Sequence, residues 1–133
     1  MELKKSYLGL VLWIAGFTGA MFLAGLLPLK GDIITLVVSN IMTFEVAILA
    51  GIIYVTEKIF WYNGISYEEA VEVGSARRKA YAFKYFASFG IFALVFLGIS
   101  VILYVLNVPV WVSLILLTVG IVGVAISTVR FKL

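Results

Sequence analysis

The chain has 133 residues, 64% of them hydrophobic and 13% charged, with ten Lys and Arg against seven Asp and Glu for a net charge of +3. Soluble domains run about half apolar and about a quarter charged, and a chain this short cannot hide so much apolar surface in a water-soluble core. Cysteine and histidine are both absent, which removes disulfides, thiolate and imidazole metal ligands and any nucleophile–histidine pair, so no cofactor is expected and the chain is read as a non-enzyme.

Four apolar runs, each long enough at about 1.5 Å per residue to cross a hydrocarbon layer of about 30 Å, are predicted as transmembrane helices over residues 7–27, 33–54, 82–106 and 109–129. The expected fold is all-α: one integral membrane bundle of four transmembrane helices, residues 1–133, with a cytoplasmic helical extension between spans two and three.

Lys4 and Lys5 precede the first run as they would in a signal peptide, but the run continues to Leu27, too long for a signal's apolar segment, and it is read as a span. Ala15 with Gly19, Gly16 with Ala20 and Ala20 with Ala24 put small residues on two adjacent faces, which predicts a central position for this helix. Pro28 and Gly31 then mark a tight turn, with Asp32 the expected N-cap of span two.

Span two carries the most informative residue. Glu45 lies near its middle, where an ionised carboxylate costs several kcal/mol unless paired, solvated or protonated. No Lys or Arg lies at similar depth on another span, so no ion pair at that depth is expected within the chain. One reading makes Glu45 a proton or cation site, the other a hydrogen-bonded packing residue. Ser39, Asn40 and Thr43 add polarity, and Asn40, Thr43, Ala47 and Gly51 share a helical stripe. Glu45 is about 140° round the helix from Asn40 and faces elsewhere. Two polar faces imply two protein covers, one from the chain's own helices and one from another subunit or a second copy.

Residues 55–81 form a long charged and aromatic loop. Trp61 and Tyr62 suit the headgroup level, and Asn63-Gly64 is a turn signal. Ser66 and Glu69 have capping-box spacing, so a helix is expected from about Tyr67, with Glu68, Glu69 and Glu72 in its first turns, running on past Gly74 into span three. The acidic cluster is a candidate docking site for a partner. Arg77, Arg78 and Lys79, with Lys84 snorkelling, are expected to bind lipid headgroups.

In span three Phe83, Phe86, Phe89, Phe92 and Phe96 make a drifting aromatic stripe, read as packing or lipid contact. Asn107 and Val108 alone separate it from Pro109, a helix-start residue, so spans three and four are expected to be antiparallel neighbours. Gly123 with Ser127 is a further small-residue pair for close packing.

Four spans put both termini and the long loop on one side, with Lys4, Lys5, Lys58, Arg77, Arg78, Lys79, Lys84, Arg130 and Lys132, against Lys30 alone on the other. That asymmetry predicts cytoplasmic termini and a single orientation, and the cell membrane is the expected location. Basic residues beside spans point to membrane lipid as partner, not nucleic acid.

A lone embedded Glu in a four-span chain is shared with the small multidrug-resistance exporters, but there it belongs to the first span, so no activity is carried over. Gly19-Ala20, Gly31-Asp32 and Val38-Ser39-Asn40 are similar to the first half of the small fluoride channels, whose threonine-rich break in span three is replaced here by FASFGIF over 86–92. No family is recognised. The expected function is helix packing, as an accessory subunit of a membrane complex or a homo-oligomer; the alternative is a small ion- or proton-coupled channel or transporter using Glu45.

Overall fold

A computed structural model describes residues 2–62 and 64–133. The described chain is all-helical: α1 is Leu8–Gly25, α2 Gly31–Thr56, a 3₁₀ turn spans Ile59–Trp61, α3 is Tyr67–Glu72, α4 Gly74–Val105 and α5 Val110–Thr128. α1, α2, α4 and α5 are each long and apolar enough to cross a membrane, and the expected spans fall on them.

α2 and α4 form the central pair, with α1 laid on α2 and α5 on α4 and α2. Sequence explains the central pair locally. Ser39, Thr43, Ala47, Ala50 and Ile53 recur at three- and four-residue spacing and are the buried residues of α2, and Ala82, Ala93, Phe96 and Ser100 are buried on α4. Mostly small side chains along both seams allow close backbone approach. α1 is peripheral, contrary to the central position expected from its small residues: Ala24 is its one buried residue, and no neighbour comes within 4 Å of a Cβ built on Gly16 or Gly19. Small residues permit close packing but do not require it. The Gly123 site is similarly open, and α5 makes its tight contact at Gly120, where the Phe92 ring occupies the space a Cβ would need.

Helix ends depart from expectation in two places. Lys30, not Asp32, is the N-cap of α2, with Asp32 inside the first turn, where its charge still complements the helix dipole. The Ser66 box forms in full, the hydroxyl accepting from the Glu69 amide and the Glu69 carboxylate accepting from the Ser66 amide. The helix it starts does not continue into span three: Gly74 has φ +81, a left-handed conformation that glycine adopts freely, and α4 starts afresh there. Gly64, with φ +89, makes the turn expected after Tyr62; Asn63, the other half of that signal, lies outside the described residues.

The best-packed cluster sits at one end of the bundle. Leu3, Ile53, Ile59, Phe60, Ala70, Tyr81 and Ala82 are buried together there, with Phe131 and Leu133 against them. Tyr67 donates its hydroxyl to the Leu3 carbonyl at 2.8 Å and the Trp61 indole to the Ser6 carbonyl at 3.0 Å, while Tyr85 meets Phe131 edge to face. The N-terminal segment, the 57–73 extension and the C-terminal segment thus form one small core capping the apolar helices.

Candidate functional site

Between α2 and α4, from the N-terminal end of α2 to its middle, lies a groove of about 440 Å³ lined by both helices. Its α2 wall holds Asn40 and Glu45 together, although they are five residues apart. The groove follows a broad arc of α2, with Asn40 on the α4 side and Glu45 at the opposite margin, so the two polar faces expected from the sequence border one space.

Asn40 is anchored across the seam. Its Nδ2 donates to the Leu36 carbonyl at 2.9 Å and to the Ser100 hydroxyl at 3.0 Å, and its Oδ1 is buried with no partner among the described residues. Ser100 in turn donates to the Leu97 carbonyl. Ser39 and Thr43 are buried and donate within α2, to the carbonyls of Thr35 and Asn40. Ser39 and Thr43 are therefore covered by the chain's own helices, whereas Asn40 is half-buried at the groove wall.

Glu45 is half-buried. Its backbone carbonyl accepts from the Trp13 indole at 3.0 Å, tying α1 to α2 at this level. Its carboxylate makes no hydrogen bond or ion pair with the described residues. Fourteen residues from Gly31 and eleven from Thr56, it stands about 21 Å and about 16 Å from the two ends of its helix.

The seam also opens on another flank, where Phe44, Ala47, Gly51, Phe83, Phe86 and Gly90 are among the residues lining about 490 Å³. That lining contains no polar side chain, and its Phe83 and Phe86 are the outer part of the predicted stripe; Phe96 is buried in the seam.

At the capped end, the basic triplet is divided. Arg77 and Lys79 are exposed, whereas Arg78 is turned inward, where its Nε and Nη2 both lie 3.2 Å from Glu57 Oε1 and its Nη1 donates to the Ala70 carbonyl at 2.9 Å. Arg78 is therefore not presented to headgroups as the sequence suggested; its helical position faces the extension. Glu57 is wholly buried and left-handed, with φ 61. The pairing escaped the sequence because its members are 21 residues apart. Its one sign was a carboxylate directly abutting an apolar run.

Trp61 and Tyr62 are partly internal. Trp61 packs on Gly9 and lies under the Lys58 ammonium. Tyr62 stacks on Tyr85 at 4.0 Å and meets Tyr81 edge to face. Burial, then the neighbouring Tyr85 and Tyr81 hydroxyls, push the Tyr62 phenol well above its ordinary range. These tyrosines border a cleft of about 600 Å³ with Glu69, Lys132 and Phe131. Lys84 is exposed, its ammonium 6.0 Å from the Phe131 ring. Of the acidic cluster, Glu69 is held in the capping box, Glu68 lies 3.9 Å from Lys5, and Glu72 is exposed.

No group of three or more His, Cys, Asp and Glu placed to hold a metal occurs among the described residues. No family model matches the chain, nor does any curated protein or solved structure.

Proposed function

We propose that this chain is a non-catalytic integral membrane protein that acts as an accessory subunit, docking another membrane helix in the groove between α2 and α4. The observation that carries this reading is Glu45: a carboxylate at the middle of an apolar helix, open to a groove and without a partner among the described residues. Ionisable groups at such depth are rare and are normally paired or in contact with water. A partner's helix supplies the cover the chain itself withholds.

The positive-inside asymmetry supports cytoplasmic termini and a cytoplasmic 57–73 cap in the cell membrane. The exposed Arg77, Lys79 and Lys84 then meet anionic headgroups, and exposed Glu72 with Glu68 offers an acidic contact to a cytoplasmic segment of the partner.

A second reading is favoured by the shared placement of Asn40 and Glu45 on one groove: in a homo-oligomer, facing grooves make an ion or proton path. Mass measurement of the assembly extracted in native lipid, with identification of co-purifying chains, separates the two. A hetero-complex retained in Glu45→Gln at reduced yield supports the subunit reading. A pure homo-oligomer whose liposome ion flux is abolished by Glu45→Gln replaces it with the pathway reading.

A further inference from the structure

We infer that the helix docked in the α2–α4 groove belongs to a different protein and carries a lysine or arginine near the middle of its span, opposite Glu45. The inference rests on the docking reading and adds to it the chemistry of the partner.

Hydrogen-bonding supply in the groove is one-sided. Apart from the Tyr104 phenol, set at the C-terminal end of α4 and away from Glu45, the groove's side-chain donors are spent: Asn40 Nδ2 donates to Leu36 and Ser100, and the Ser100 hydroxyl donates to Leu97. The open acceptor is the Glu45 carboxylate, which has no hydrogen bond or ion pair among the described residues. An open carboxylate in an apolar setting calls for an occupant that brings donors and positive charge.

Three other occupants fit less well. A lipid acyl chain has no donor, and suits the flank lined by Phe44, Ala47, Gly51 and Phe86, where no polar group is exposed. A second copy in the same orientation sets Glu45 against Glu45 across a two-fold axis, because its basic residues lie toward the helix ends. The chain's own cations are too distant: Lys30 and Lys58 flank α2 at its two ends, about 22 Å and about 20 Å from Glu45 along the axis. Groove length also suits a helix. From Ile33 to Glu45 it follows α2 for twelve residues, about 18 Å or three turns.

The test uses the full chain in phosphatidylcholine vesicles with two synthetic leucine–alanine transmembrane peptides, identical except for Lys or Leu at the central position. Association is read by energy transfer from a labelled peptide. Central lysine sits at mid-depth whichever way the peptide inserts. The Lys peptide is expected to bind about tenfold more tightly than the Leu peptide, toward the upper end for a polar interhelical contact, and Glu45→Gln is expected to erase that difference. Equal binding of the two peptides to the native chain overturns the cationic partner but leaves docking intact. Binding of neither overturns docking as well. A preference for Lys that survives in Glu45→Gln, with native helicity by circular dichroism, overturns the role of Glu45. Should that variant fail to fold, the two peptides on the native chain still decide the matter.

Discussion

Arg78 Nε and Nη2 converge on a single oxygen of Glu57, each at 3.2 Å, while Nη1 reaches back to the Ala70 carbonyl. Through this contact the C-terminal end of α2, α3 and the start of α4 meet at one buried guanidinium. The pair holds these elements together where the helical path is interrupted, at left-handed Glu57 and at Gly74. Both side chains are nearly inaccessible, at 5% and 1% exposure for Arg78 and Glu57, so removing Arg78 strands the Glu57 carboxylate and removing Glu57 takes the paired anion from a buried cation.

Arg78→Met and Glu57→Gln are each expected to destabilise the protein by about 3–5 kcal/mol, the usual cost of breaking a buried pair from one side. The double variant Glu57→Gln with Arg78→Met is expected to be more stable than Arg78→Met alone, since no unpaired charge remains. Denaturant unfolding in lipid nanodiscs measures all three. Equal stability of the native chain and the single variants would sink the assignment.

Arg77 and Lys79 are exposed on either side of that sealed arginine. Replacing both by Gln is expected to weaken the preference for phosphatidylserine over phosphatidylcholine by about 1 kcal/mol per charge, read from lipid retained on purification. Arg78→Met is expected to leave the preference unchanged wherever the variant folds.

A Cβ on Gly120 would clash with the Phe92 ring. Gly120→Ala is therefore expected to drive that ring off α5 and loosen the α4–α5 contact by about 1–3 kcal/mol, as overpacking does. In a Phe92→Ala background the same change is expected to cost nothing, so a double-mutant cycle isolates the clash.

Tyr62 titrates above the ordinary tyrosine range because it is buried beside Tyr85 and Tyr81. Its folded form holds the proton more tightly than the unfolded chain, whose phenol ionises near pH 10. Stability is therefore unaffected by this group below about pH 10 and falls as pH rises beyond it. Tyr62→Phe is expected to flatten that alkaline decline in denaturant titrations; an unchanged slope would show that Tyr62 ionises freely in the folded protein.

Several features of this protein were decided by the sequence alone, because they depend on solvent transfer or on groups a few residues apart. The four apolar helices follow from runs of about twenty residues that water cannot solvate cheaply, and the start of α3 from Ser66 and Glu69 three positions apart. Glu45 stood out for the same reason, as a charge where hydrocarbon is expected. Tertiary structure decided which neighbours each helix met. It made α2 and α4 the central pair and left α1 outside, since small residues license close packing on any face without choosing one. It brought Asn40 to Ser100 across sixty positions, put Glu45 on the same groove, and turned Arg78 inward to Glu57. Those outcomes depend on the relative rotation of whole helices and on the path of the 57–73 segment. Such rotations are settled by the summed packing of distant residues, which no local spacing records.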